Sequence, residues 1–508
     1  KEKEAAKAKA EKEKRKRDRI AKRKARRASV PQMNQGVRTG LKLLTMLKRV
    51  TVNYTENAGT ILPGYMDSTT NLGVDFGNNY EPGFDFVYGY QPTQIWLEQQ
   101  AAKGLLSKDS VFNAQFQQQY SQNINASATL EPFNEFRIDL SLTSNFSKNH
   151  NELFKYLADK NAQYYHLNPY ETGSFTMSYI GLSTLFKSGG ANSAVYNKFL
   201  SNRETVSHRL GGSNPYTNNT PDPNDPNYTK GYTQYSQDVL IPSFIAAYSG
   251  DNPNEVALID YSSQNNIRKN PFKYYTPMPN WRIQYNGLSR LPVFTPILNT
   301  FVLNHAYTGT MSMNSFVTSL YYQDVYALGY PSFIDSNSGN YVPFFQVPNI
   351  TITEAFSPLI GFDAAFKNNV TAKFEYNRRR TVSLSLVDYQ VSETNSTEYT
   401  IGFGYRVRGL KLPFEILGLK TLKNDMTIKV DVGLRDDRTT NNYLAQNIGI
   451  TTRGQRVIRI APTIDYIVND RLTLRLFFDR NQSIPYVSSS FPITTTRAGL
   501  VLRFIFAQ

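Results

Sequence analysis

The stretch MTIKVDVGLRDD, residues 426–437, changes character at every step. Met426, Ile428, Val430, Val432 and Leu434 fall on one parity; Thr427, Lys429, Asp431, Gly433 and Arg435 fall on the other. A strand has a side-chain period of two, so this segment predicts a sheet with one oily face and one charged face. A soluble sandwich would put those faces against a core and against water. An outer-membrane barrel would put them against lipid and against a wet lumen.

The same alternation recurs along the chain. Phe136, Ile138, Leu140 and Leu142 share a parity, with Arg137, Asp139, Ser141 and Thr143 between them. From residue 297 onward such segments follow closely: Ile360–Phe366, Val370–Tyr376, Tyr399–Val407, Ile458–Val468, Leu472–Phe478 and Ala498–Phe506. Roughly 14–16 strands are expected, each near the ~10 residues of a tilted membrane-spanning strand. The polar stretches KNN, NRRR, SETNST, TRGQ and VNDR are expected to be the turns between them. Segments of the βαβ kind are absent from the pattern, so the sheet is expected to be antiparallel.

Composition sets bounds. The 508 residues include 34 Tyr and 31 Phe but no Cys, which excludes disulfides, thiolate metal sites and cysteine nucleophiles. Mean hydropathy is −0.46, and the apolar runs are far shorter than the ~20 residues of a spanning helix. The net charge of +15 is concentrated: residues 1–30 hold 15 Lys/Arg against 5 Asp/Glu. Residues 1–36 therefore read as a basic, partly helical or disordered segment. No signal peptide precedes the charge run, so the expectation is either a cytosolic protein or a piece of a longer exported one. Residues 37–508 read as barrel, with a short helix in TQIWLEQQAAKGLL and a loop-rich insertion at about 187–280, where GGSNPYTNNTPDPNDPNYTKGY carries turn chemistry.

Two features favour lipid over a soluble core. A one-residue slip of 426–437 would turn Lys429, Asp431 and Arg435 into hydrocarbon, at about 2–4 kcal/mol for each Lys or Arg at the bilayer midplane. The C-terminal run Leu500, Leu502, Phe504, Phe506 has the alternating, aromatic form of a barrel-assembly signal. The fold expected is all-β: an antiparallel transmembrane β-barrel segment with short helices and long loops. Met426, Ile428, Val430, Val432, Leu434, Leu472, Leu474 and Leu476 are then lipid-facing; Lys429, Asp431, Arg435, Arg471 and Arg475 are lumen-facing.

Longer stretches carry a resemblance. NYTENAGTILPGY, EPGFDFVYGYQP, ATLEPFNEFRIDLSL, ETGSFTMSYIGLSTLF, QDVLIPSFIAAYSG, PMPNWRIQYNGLSRL, HAYTGTMSM, ITEAFSPLIGFDAAF, NRRRTVSLSL and IGFGYR follow one another in an order similar to the C-terminal part of the SprA/Sov family. That family is the outer-membrane translocon of the type 9 secretion system in Bacteroidota. The resemblance runs from about residue 37 to the end. It implies a C-terminal piece of a much longer chain that forms a very large barrel, of the 36-strand class. It also implies passage of folded cargo proteins through an aqueous lumen, a plug protein at the periplasmic end, a PorV-type barrel at a lateral opening, insertion by the barrel-assembly machinery and residence in the Gram-negative outer membrane.

Enzyme signals are weak. His150, His166, His208 and His305 show no metal-ligand spacing, and neither a nucleophile elbow nor a phosphate loop occurs. GFGYRVRG reads as a strand with Gly402 and Gly404 on the lumenal parity, and Glu354 and Asp363 as separate loop or lumen carboxylates. No enzyme, cofactor or metal is expected, and no nucleic-acid partner, since no aromatic residue interleaves the N-terminal charges. Trp281, Phe356 and Pro358 are candidate partner contacts. The competing readings are another large outer-membrane transporter or porin barrel, and a soluble β-rich protein that binds nucleic acid through its basic arm.

Overall fold

The computed structural model describes residues 45–70, 72–187, 189–190, 193–261, 266–416, 419–422, 424–469, 471–487 and 490–505. The basic segment 1–36 and Phe506 lie outside the described residues. Alternation produces strands, as the two-residue period requires. They are β1 Leu47–Ile61, β2 Phe116–Phe133, β3 Phe136–Leu157, β4 Gln163–Ser178, β5 Asn280–Tyr285, β6 Leu298–Thr318, β7 Phe345–Gln346, β8 Asn349–Phe366 and β9 Val370–Ser385. They continue as β10 Gln390–Val407, β11 Leu410–Ile416, β12 Leu419–Leu422, β13 Met426–Tyr443, β14 Ile448–Asn469, β15 Leu472–Pro485 and β16 Ile493–Phe504.

One fourteen-stranded sheet has the twelve-strand path β1-β2-β3-β4-β6-β8-β9-β10-β13-β14-β15-β16, with β5 pairing β3 and β6 and β7 pairing β6 off that path, and β11-β12 form a separate hairpin. Every pairing between these strands is antiparallel, as expected. Among the described residues the sheet does not close on itself: β1 pairs with β2 and β16 with β15, and the path ends at both.

Three expected turns are corrected. NRRR lies inside β9, SETNST inside β10 and TRGQ inside β14. KNN and VNDR are turn sites, and Asn369 takes the left-handed backbone (φ 63°) that asparagine tolerates. The strands are longer than the spanning length; β3 and β14 have 22 residues each. Their ends therefore carry polar residues without ceasing to be strand.

One end of the sheet, called the turn end, has the tight connections 134–135 and 367–369 and the longer 408–425, which carries the β11-β12 hairpin. The other, the loop end, has the long connections 62–115 and 319–348 beside tight ones at 158–162, 386–389 and 444–447. The helix expected in TQIWLEQQAAKGLL is α2 (Gln94–Ala102), capped by the Thr93 side chain; α1 is the single turn Phe84–Val87.

β4 and β5 occupy one lane. β4 pairs with β3 from Leu157 back to Ser144, and β5 takes over from Ser141 to Phe136. Residues 179–279 leave the lane in mid-strand and return to it. Turn chemistry does fill 214–236, but the insertion also contains α3 (Leu182–Leu185), α4 (Ala194–Ser213) and α5 (Gln237–Ser249). In α5 every residue from Asp238 to Tyr248 is buried. It packs on Met177, Met311, Met313, Phe316, Ile350, Ile352, Val382 and Leu384 of the sheet, with Val195, Tyr196, Phe199 and Val206 of α4 in the same cluster. That cluster is the main hydrophobic core. The remaining α4 side chains Asn197, Lys198, Ser201, Glu204 and His208 are exposed, so the layer is polar outside.

Candidate functional site: a two-faced wall

Register decides which side chains share a face. Tyr399 pairs with Tyr376 and Leu434; Ile401 with Phe374 and Val432; Phe403 with Ala372 and Val430. Val430 opposes Pro462, Val432 opposes Ile460, and Leu434 opposes Ile458. Leu474 and Leu476 lie opposite Tyr466 and Ile464 on one side and Leu502 and Leu500 on the other. The candidate apolar residues of β13, β15 and β16 thus form continuous rows on one face. The rows extend through Phe136–Leu142 of β3 to Val50, Val52 and Tyr54 of β1.

These rows are largely uncovered: Val52 is 64 % exposed, Phe403 59 %, Leu476 51 % and Leu502 63 %. Leu500 and Phe504 are also exposed, while Met426 at the start of β13 is buried. Contiguous apolar surface of this extent marks a face built for something other than water.

The opposite face is polar over its whole length. Lys429, Asp431, Arg435 and Arg475 lie on it and are exposed, and Arg471 is exposed at the turn before β15. Its charges interleave. Arg475 Nε is 2.5 Å from Asp465, Arg459 2.9 Å from Asp479, Arg435 2.9 Å from Asp437, and Lys373 2.9 Å from Glu375. Toward the loop end, hydroxyl pairs replace them: Ser147 with Ser174 at 2.9 Å and Thr351 with Ser383 at 3.0 Å. Gly402 and Gly404 lie on this face, as expected. With Lys373, Lys429 and Asp431 they line a shallow concavity of about 300 Å³.

The insertion covers the loop-end part of the apolar face. Its neck is built tightly. Gly309 N–H donates to Asn280 Oδ1 (2.7 Å) and Tyr179 N–H to the Gly309 carbonyl (2.9 Å). A Cβ on Gly309 would stand 2.0 Å from the Tyr179 carbonyl oxygen, so only glycine admits this approach.

Beneath the neck lies a buried polar node. Glu354 accepts from Tyr307 Oη (2.8 Å) and from the Gly181 N–H (2.9 Å), and pairs with Arg380. Arg380 donates to Thr184 Oγ1 (2.7 Å), whose hydroxyl donates to the Tyr248 carbonyl (2.6 Å). Glu354 is therefore neither a loop nor a lumen carboxylate. Its partner lies 26 residues away, in a stretch that reads as a turn, so spacing gave no signal.

Trp281 stacks on Tyr307 at 4.6 Å, and Phe356 meets the same ring at 5.1 Å. Phe356 is buried and Trp281 half-buried, so both rings are engaged within the chain, at the insertion neck. Pro358 sits where the β8–β9 register shifts between Phe356 and Ile360, a bulge that spares the ladder its missing N–H.

The histidines are less scattered than the sequence suggests. Glu152 lies 2.9 Å from a His166 nitrogen and 3.7 Å from one of His150, and His150 is 3.4 Å from Glu171. The contacts run as a chain and do not converge. Among the described residues no group of His, Asp and Glu is placed to hold a metal ion. Among them, too, no helix is long and apolar enough to cross a membrane, which leaves crossing by strands open. No family model and no curated protein matches the chain.

Proposed function

We propose that this chain is the C-terminal part of the wall of a protein-conducting outer-membrane barrel, of the kind that serves type 9 secretion. The observation that carries the reading is the continuous, exposed apolar surface on one face of a long antiparallel sheet whose other face is charged. Hydrocarbon suits the first face, and a water-filled passage suits the second. The resemblance of the ordered motifs to the SprA/Sov family implies the rest: folded cargo as the substrate, a plug protein at the periplasmic end, a PorV-type barrel at a lateral opening, and the barrel-assembly machinery as the route of insertion.

The wall performs no chemistry on this reading. It separates two solvents and presents a polar surface on which charges of both signs interleave. The 508 residues contain no cysteine, so a thiol introduced here is the only one in this stretch of the wall. In intact outer membranes, a cysteine at Ile401 or Leu474 should resist a water-soluble maleimide and react with a lipid-soluble one. A cysteine at Lys429 or Arg475 should react with the water-soluble reagent. Equal labelling of both sets by the water-soluble reagent would refute the assignment. A porin-like barrel would share this labelling pattern but would not hold folded cargo when export is jammed.

A further inference from the structure

On the apolar face, arginines succeed the apolar rows toward the loop end. On β13 the row from Met426 to Leu434 continues as Asp436 and Arg438; on β14 the row from Tyr466 to Ile458 continues as Arg456. On β15 the row from Leu472 to Phe478 continues as Arg480. All three arginines are exposed. Farther along the sheet the corresponding cations are engaged: Arg378 donates to the Leu185 carbonyl of the insertion (3.2 Å), and Arg380 pairs with Glu354 of β8 and donates to Thr184 of the insertion. Tyr486 orders the uncovered group. Arg438 lies 5.1 Å and Arg456 6.0 Å from its ring centre, and its hydroxyl donates to Asp436, which is 3.4 Å from Arg456. Two cations thus gather around one carboxylate, and Arg480 stands on the same face level with Ile460, four residues nearer the apolar rows.

We propose that Arg438, Arg456 and Arg480 bind the phosphate of a lipid headgroup in the leaflet nearer the loop end. This rests on the membrane reading above. A guanidinium is a planar fork that matches phosphate with two hydrogen bonds. Beside an apolar belt its stem lies along hydrocarbon while the charge stays at headgroup depth. The Tyr486 ring holds two of the forks, so less side-chain freedom is lost on binding.

The test uses the full-length protein in neutral detergent, with bound lipid counted by native mass spectrometry against phosphatidylglycerol, phosphatidylcholine and inorganic phosphate. Wild type should retain phosphatidylglycerol in preference to phosphatidylcholine, and the preference should weaken as salt rises. R438Q/R456Q/R480Q should lose about tenfold or more of it, given roughly fivefold per arginine at an anionic surface. R435Q/R459Q/R475Q, on the polar face, should lose none. R438K/R456K/R480K should keep the preference in part, which guards against a glutamine variant that fails to fold. Equal effects of the two glutamine triples, or no lipid preference in wild type, would overturn the site. Full displacement of the lipid by millimolar phosphate would make it a small-anion site and overturn the lipid assignment. Failure of wild type to enter any bilayer would instead overturn the membrane reading itself.

Discussion

At the scale of single residues, parity is the decisive quantity. Val430 and Lys429 are neighbours in sequence and lie on opposite faces of β13, in register with Phe403 and Gly404. Val430→Arg should impair assembly, since a cation on the hydrocarbon face costs about 2–4 kcal/mol near the midplane. Lys429→Ala should assemble as wild type does. Heat-modifiable mobility of the outer-membrane fraction reads both, and equal tolerance would count against the lipid-facing assignment. A second residue-level prediction concerns the node under the insertion. Glu354→Gln leaves Arg380 buried without a counter-charge, and breaking a buried pair in this way costs about 3–5 kcal/mol. Replacing both partners by apolar residues should cost less than either single change. Thermal unfolding of the three variants would reveal that ordering, and additive losses would show that the pair is not coupled.

At the scale of elements, legibility in the sequence followed the burial of each face. The rows Tyr399–Tyr405 and Leu472–Phe478 were readable because one parity is apolar and the other polar. The segment NRRR was not, because Arg378 and Arg380 continue the apolar-face parity of β9 and are taken up by the Leu185 carbonyl and Thr184 hydroxyl of the insertion and by Glu354 of β8. Strand length explains the misplaced turns. A 22-residue strand reaches about 70 Å and, tilted by about 40°, still rises well beyond a ~30 Å hydrocarbon core, so its ends are polar strand. Helix α5 was invisible for the opposite reason: VLIPSFIAAY is buried all round and so has no amphipathic period. Sequence spacing could not reveal that Glu354 meets Arg380, nor that Trp281 and Phe356 flank one tyrosine.

Helix α5 also carries a titratable group. Burial pushes Asp238 up to about 6 from an ordinary 3.8, with hydrogen bonds to Tyr261 and Gln237 offsetting part of the rise. A raised carboxyl pKa means that the folded layer binds the proton more tightly than the unfolded chain does. The stabilisation is complete below about pH 4 and is lost as pH rises through about 6, on the order of 3 kcal/mol for a shift of about two units. Proteolysis of the insertion should therefore be slower at pH 5 than at pH 7.5, after correction for protease activity, and Asp238→Asn should flatten that difference. Unchanged pH dependence in the variant would remove Asp238 from the argument.

At the scale of the whole molecule, the sheet's two edges are the unfinished feature. Among the described residues the outer edges of β1 and β16 have no partner strand, and each would present a row of backbone groups to hydrocarbon if the chain entered a bilayer so, where lipid offers them no partner. Side chains cannot cure this, because the deficit lies in the backbone; only further strands can. The covering layer does not help either, since it lies on a face of the sheet and not along an edge. Residues 1–508 produced alone and inserted into detergent or membrane should therefore associate through these edges, giving a broad distribution of assemblies with no single heat-modifiable species. Co-production with the strands that flank them in the complete wall should restore one defined species. Size-exclusion chromatography with light scattering distinguishes the cases. A monodisperse, heat-modifiable monomer of this chain alone would mean that β1 and β16 meet each other, and the wall would then be a closed barrel far narrower than a folded cargo protein requires.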